Sequence, residues 1–106
     1  MKTIIRASLV VLAVTFAFST FSAAQSAADI YKTKCAICHG ASGAGDTAMG
    51  KNLKVRDLTS ADVQKQSDAE LAAVIKNGKG KMPKYEGKLT DQQIAELVKY
   101  IRTMKK

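Results

Sequence analysis

Two cysteines and a histidine lie within five consecutive residues, and the 106-residue chain contains no other cysteine or histidine. Cys35 and Cys38 enclose two residues and His39 follows directly, which gives the pattern Cys-x-x-Cys-His. Thiols and imidazoles act as nucleophiles, redox groups and metal ligands. We therefore expect the function of the protein to depend on the segment 35–39.

Three kinds of chemistry use this pattern, and they make different demands on the rest of the chain. A thioredoxin-like dithiol or disulfide normally opens a helix after a strand, and the sequence has no alternating, β-branched segment to form that strand. A zinc ion takes four protein ligands, which is more than these residues supply. Covalent haem attachment needs two thiols for the vinyl groups and a histidine beneath the iron. We favour haem because it alone uses all three residues.

Methionine is the residue type expected as the second iron ligand, since the chain has no second histidine. Met49 lies close to His39 in sequence and is poorly placed to reach the opposite haem face. Met104 falls on an apolar helix stripe, where packing explains it. Met82 is preceded by two glycines, which permit a close backbone approach, and is followed by Pro83. We therefore predict Met82 as the sulfur ligand.

The first 24 residues have the features of a secretory signal peptide. Lys2 and Arg6 precede an uncharged run over residues 9–18, and small residues follow at 22–24. The run is shorter than the roughly 20 residues of a membrane anchor. We predict that residues 1–24 are cleaved, that residues 25–106 form one domain without a stable membrane anchor, and that the protein is exported to a bacterial periplasm.

The predicted domain is poor in large apolar side chains. The chain is 46% hydrophobic, but all three phenylalanines lie in the predicted signal peptide and there is no tryptophan. The rest of the chain has three tyrosines as its only aromatic residues. A domain of this size is near the limit of what a hydrophobic core can stabilise, so a bulky apolar group is expected to complete the core.

Helical patterns recur along the predicted domain, and strand patterns are absent. The apolar spacing and capping residues predict helices over residues 26–34, from a cap within 59–62 to about 66, from Ser67 to before Gly78, and from Thr90 onwards. Residues 40–50 are rich in glycine and are predicted as a loop. The expected fold class is all-α, with about four short helices and long loops around one covalent haem.

Three segments of the sequence resemble the class I c-type cytochromes, in particular the small bacterial and photosynthetic monohaem type. They are residues 31–40, 80–83 and 97–102, and the resemblance covers residues 26–106. It implies a small cytochrome c fold in which the first and last helices cross. It also implies a soluble one-electron carrier that is not an enzyme. The positions implied at the crossing are Ala27, Tyr31, Leu97 and Tyr100.

Two departures from the family pattern concern groups around the haem. Lys51 replaces a proline whose carbonyl often accepts a hydrogen bond from the ligand histidine, and we expect the Lys51 carbonyl to take over that bond. Many relatives place a tryptophan against a haem propionate, and this chain has none. Arg56 is the residue we expect to pair with a propionate instead.

The charge of the chain bears on its partners. The formal net charge of +8 falls to about +4 when Lys2 and Arg6 leave with the signal peptide and two propionates are added. Lysines on both sides of Met82 predict a basic surface for an acidic redox partner; they are Lys76, Lys79, Lys81 and Lys84. No nucleic-acid recognition motif is present, and we expect a monomer.

The rival functions are an electron-donor subunit of one dehydrogenase or reductase, and a ligand-binding sensor from which Met82 dissociates.

Overall fold

A computed structural model of the protein describes residues 26–106, so the predicted signal peptide lies outside the described residues. Within them the chain forms short helices and no β-strand, apart from two isolated bridges between Lys79 and Met82 and between Glu86 and Leu89. The all-α fold class is confirmed. The helices are α1 (Ala27–Ile30), α2 (Ala36–His39), α3 (Ala48–Leu53), α4 (Ala61–Gln64), α5 (Asp68–Asn77) and α6 (Asp91–Arg102).

The N-terminal helical run extends further than the sequence predicts. It begins after Ser26, whose hydroxyl accepts a hydrogen bond from the Asp29 amide at 3.2 Å. Instead of ending near residue 34, it continues through a π-helical turn at Tyr31–Cys35 into α2. A π-turn contains one residue more than an α-turn and so rotates the following side chains around the helix axis. Cys35 and His39 consequently belong to one helical unit.

Helix α3 lies partly within the segment that the sequence predicts as a loop, and that prediction is wrong over residues 48–50. The helix depends on Thr47, whose hydroxyl accepts from the Gly50 amide at 2.8 Å. The same hydroxyl lies 2.9 Å from the carbonyl oxygens of Ile37 and Cys38. This contact between distant residues fixes α3 against α2, and a local pattern does not reveal it.

Side-chain caps start the remaining helices. Ser60 caps α4 and so lies within the interval 59–62 in which the sequence predicts the cap. Helix α4 ends at Gln64. The Ser67 hydroxyl caps α5 by accepting from the Glu70 amide at 3.1 Å, and α5 ends before Gly78 as predicted. Thr90 and its partner at the third helical position form both bonds of a capping box on α6.

Helices from the two ends of the described chain meet in the core. The rings of Tyr31 and Tyr100 lie 5.2 Å apart and are tilted by 51°. Tyr31 and Leu97 are 2% and 1% exposed. Ala27 packs at the edge of the same cluster. The crossing of the first and last helices that the resemblance implied is therefore observed, and α5 packs beside α6.

Arg102 at the end of α6 holds the corner between α4 and α5. Its guanidinium donates to the Gln64 carbonyl at 2.7 Å, to the Gln66 carbonyl at 2.5 Å, and to Asp68 at 2.9 and 3.0 Å. Its planar fork suits several acceptors at once.

Every helix within residues 26–106 is too short or too polar to span a membrane.

We expect Arg102→Lys to lower the free energy of unfolding by about 1–3 kcal/mol, because an ammonium keeps the charge but lacks the planar fork that reaches both carbonyls and the carboxylate at once. Chemical denaturation of the holoprotein measures this. Lys99→Gln is the control, since it removes an exposed ion pair with Glu96 and should change stability by less than about 0.5 kcal/mol. Equal effects of the two substitutions would contradict a structural role for the guanidinium fork.

Candidate cofactor site

The helices surround a cavity of about 650 Å³ that their own side chains leave open. This volume lies within the range of ligand-binding cavities. Most of its wall is aliphatic, so the cavity suits a large apolar ligand. The aliphatic side chains that line it include Leu53, Val55, Leu58, Val63, Leu71, Val74, Ile75, Leu89, Leu97 and Ile101.

All five residues that the sequence predicts as site residues line this one cavity. They are Cys35, Cys38, His39, Arg56 and Met82. The two cysteines do not form a disulfide with each other. The other two methionines of the described chain do not line the cavity. Met49 is 47% exposed on α3, and Met104 packs against the core with its sulfur close to Gly43.

The imidazole of His39 is half-buried, and burial lowers its pKa, while the backbone of Arg56 acts in the opposite direction. Its buried Nδ1 atom has no hydrogen-bond partner among the described residues. The predicted bond to the Lys51 carbonyl is therefore not formed. That carbonyl instead accepts from the Lys54 amide at 3.3 Å, at the end of α3.

The thiol of Cys35 differs from the reactive thiol of a dithiol oxidoreductase. Burial raises its pKa to about 11, although the neighbouring Lys34 favours the thiolate. Oxidoreductases with a Cys-x-x-Cys motif lower the pKa of the attacking cysteine instead. The environment of Cys35 thus disfavours the dithiol interpretation of the motif.

A tight turn carries Met82 to the cavity wall. The Met82 amide donates to the Lys79 carbonyl at 3.0 Å, and the Lys79 amide donates to the Met82 carbonyl at 3.2 Å. Gly80, with φ +56°, lies in this turn. Directly afterwards, the amide of Tyr85 donates to the Ile75 carbonyl at 3.1 Å, which ties the segment to the end of α5.

Two tyrosines also line the cavity, and no sequence pattern indicated their polar contacts. The Tyr31 hydroxyl donates to the Gly40 carbonyl at 2.6 Å, and the Tyr85 hydroxyl donates to the Lys34 carbonyl at 3.3 Å. Burial raises the pKa of both phenols. The carbonyl groups that accept these two hydrogen bonds belong to the residues directly before and directly after the segment 35–39.

The charged side chains that line the cavity are all cationic: Lys34, Lys54, Arg56, Lys79 and Lys81. None of the five forms an ion pair with a described residue. Lys76 and Lys84, which the sequence grouped with them, do not line the cavity, and Lys76 pairs with Asp91 at 3.2 Å. Lys54 adopts a left-handed conformation with φ 53°, for which the sequence contained no signal.

These features fit a haem. An aliphatic wall suits the porphyrin, and two thiols with a neighbouring imidazole are suited to attachment and ligation. Cations without ion-pair partners suit the two propionates, because a carboxylate entering an apolar cavity needs compensating charge. The donor set therefore agrees with the haem that the motif predicts.

A family model, sequence relatives and solved structures all relate this chain to c-type cytochromes. The family model described as "Cytochrome C oxidase, cbb3-type, subunit III" matches residues 22–101. Cytochrome c6 of Picosynechococcus sp. PCC 7002 is 36% identical over 109 residues, which cover 95% of this chain and 92% of that protein. Cytochrome c6 of Nostoc sp. PCC 7120 is 35% identical over 105 residues, which cover 89% of this chain and 87% of that protein.

Solved structures agree with the sequence relatives. The c-type cytochrome KustC0563 has a TM-score of 0.70 and 32% identity, over 76% of this chain and 98% of that one. Cytochrome c6C from Synechococcus sp. PCC 7002 has a TM-score of 0.58 and 27% identity, over 74% of this chain and 92% of that one.

The fold and the cavity thus define a helical electron-transfer protein with a covalently attached haem. The chain belongs to the small class I c-type cytochromes. It accordingly carries one haem c and acts as an electron carrier, as the cysteine motif predicts.

We expect Gly50→Ala to abolish haem incorporation or to leave only a small fraction of folded holoprotein. A Cβ at Gly50 would overlap the Cys38 carbonyl oxygen and approach the Gly45 carbonyl oxygen to 2.7 Å. The yield of holoprotein, measured from its visible absorption, checks this. Gly80→Ala is the control, because its Cβ meets nothing within 4 Å and only the positive φ of +56° opposes it. A normal yield of the Gly50 variant would show that α3 can move away from α2.

Proposed function

We propose that the protein shuttles single electrons between exported redox proteins, using His39 and Met82 as the two axial iron ligands. Cys35 and Cys38 form the thioether links to the haem, and Arg56 pairs with a propionate. The observation that carries this proposal is that all five side chains line one aliphatic cavity. A bound haem supplies a one-electron couple between Fe(II) and Fe(III).

Each ligand has a distinct part in this function. The thioether links of the cysteines prevent loss of the cofactor after export. The thioether of Met82 favours the reduced state, and so it raises the reduction potential relative to ligation by two histidines. His39 and Met82 would both be ligands of the iron, and this would leave no coordination site for a substrate. The protein therefore transfers electrons without bond-making chemistry at the iron.

The cations around the cavity support an acidic partner. All charged lining residues are positive, whereas the described ion pairs lie on α4, α5 and α6 or link them to each other. Ile37 is 66% exposed and lines the same cavity, so it offers a partner an apolar contact among the cationic side chains. An acidic redox protein would be guided to this opening, form a weak and salt-sensitive contact, and leave after transfer.

The proposed location is the periplasm, and the proposed state is a monomer. The predicted signal peptide supports export. A shuttle must leave one partner to reach the next, and a separate small domain meets that need better than a subunit bound to one enzyme. Copurification with a large dehydrogenase or reductase would favour the subunit instead.

We expect Met82→Ala to remove the far-red absorption band of an iron–sulfur bond, to lower the reduction potential by on the order of 100 mV, and to let carbon monoxide bind the ferrous protein. A redox-titrated visible spectrum measures the first two. Met49→Ala is the matched control, because its side chain lies outside the cavity and should leave all three properties unchanged. Unchanged spectra of the Met82 variant would refute the ligand assignment. Ready binding of carbon monoxide to the wild type at neutral pH would support a sensor.

We expect Lys81→Glu to slow oxidation of the ferrous protein by anionic ferricyanide about tenfold at low ionic strength, and to speed oxidation by a cationic cobalt(III) complex. Stopped-flow absorption measures both rates, and added salt should reduce both effects. Lys105→Glu gives the same change in net charge away from the cavity and should alter either rate far less. Equal effects of the two substitutions would mean that net charge alone matters and would contradict docking at the cavity.

A further inference from the structure

The hydroxyl of Tyr31 makes a buried contact that the proposed function does not use. Tyr31 is 2% exposed, and its hydroxyl donates to the Gly40 carbonyl at 2.6 Å. Gly40 is the residue directly after His39, and Tyr31 begins the π-turn that precedes it. One hydrogen bond thus closes the whole segment that carries both cysteines and the histidine.

His39 lacks the contact that usually fixes the ring of a metal-bound histidine. Such rings generally donate a hydrogen bond from their second nitrogen to a carbonyl or carboxylate, which sets their orientation and basicity. The Nδ1 atom of His39 is buried and has no partner among residues 26–106. The backbone of Arg56 approaches the imidazole without completing a hydrogen bond to Nδ1, so the backbone that carries His39 contributes to the orientation of the ring.

Several hydrogen bonds hold that backbone, and the Gly40 amide itself donates to the Ala36 carbonyl at 2.9 Å. The Gly45 amide donates to the His39 carbonyl at 2.7 Å, and the Gly43 amide donates to the Gly40 carbonyl at 3.0 Å. The bond from the Tyr31 hydroxyl to the Gly40 carbonyl is the only one of these that comes from a side chain. Gly40 itself has φ +80° and leaves the helix, so helical hydrogen bonding does not fix its carbonyl.

We propose that Tyr31 is a positioning residue for the iron ligand: its hydroxyl holds the carbonyl of Gly40, in the peptide directly after the one that joins His39 to Gly40, and thereby restrains the backbone that orients the imidazole. The role of the hydroxyl is separate from that of the ring, which packs against Tyr100. This inference rests on the proposed ligation of iron by His39.

Tyr31→Phe in the holoprotein tests the inference, because it removes the hydroxyl and keeps the ring. Tyr100→Phe is the matched control. Tyr100 belongs to the same ring pair, but its hydroxyl makes no hydrogen bond to a described residue, and it does not line the cavity. Proton NMR of the ferric protein gives the haem-methyl shifts, which report the orientation of the axial ligands. Amide hydrogen exchange at Gly43 and Gly45 reports how firmly the peptide is held.

The Tyr31 variant is expected to change the spread of the haem-methyl shifts and to speed exchange at the two glycine amides about tenfold, as the loss of one buried hydrogen bond implies. The control should resemble the wild type in both measurements. If Tyr31→Phe behaves like Tyr100→Phe in both, the inference is wrong. If only stability falls, while the methyl shifts stay the same, Tyr31 is structural and does not position the ligand.

Two results from the wild-type protein keep the inference separate from the proposed ligation. A slowly exchanging hydroxyl proton of Tyr31 is expected, and its absence would overturn the inference even if the variant does not fold. Resonances of His39 shifted by the ferric iron are expected if His39 is a ligand. Their absence would refute the ligation, and with it the effect on the ligand, whereas glycine exchange would still report whether the hydroxyl holds the peptide.

Discussion

The apolar faces of the helices converge on a space that protein side chains do not fill, and the rest of the structure depends on this constraint. Leu58, Leu71 and Leu97 belong to the buried core and line the cavity at the same time. Without a large apolar ligand, these faces would meet water and lose much of the free energy that holds the helices together. Cofactor attachment and folding are therefore one problem for this chain, which explains how a domain without tryptophan or phenylalanine forms a core.

Much of the fold could be predicted because local interactions determine it. The boxes at Ser67 and Thr90 are short-range patterns, and both residues cap the helices where the sequence indicates. The spacing of apolar residues predicted the buried face of α6. For the site, the motif at 35–39 and the loop of Met82 were identified from residue types alone, and the structure gathers them at one cavity.

The remainder depends on contacts between distant residues. Helix α3 contains a glycine and looks like a loop, but Thr47 fixes it to the carbonyls of α2. The π-turn at Tyr31–Cys35 leaves no recognisable pattern, because π-turns are set by tertiary packing rather than by propensity. The hydrogen bond expected from His39 to Lys51 required a backbone path that the end of α3 does not take, since Lys54 turns it into a left-handed conformation. None of these outcomes is encoded within a few neighbouring residues.

The charged side chains at the opening of the cavity all have the same sign. Five cations line it, and none of them forms an ion pair with a described residue. A flat anionic surface, such as a negatively charged electrode or a cation-exchange resin, would therefore adsorb the protein in one main orientation, with the opening against the surface. Adsorbed in this way, the whole population would present its redox centre at one short distance from a conductor. The same adsorbed layer would hide the opening from any partner added afterwards.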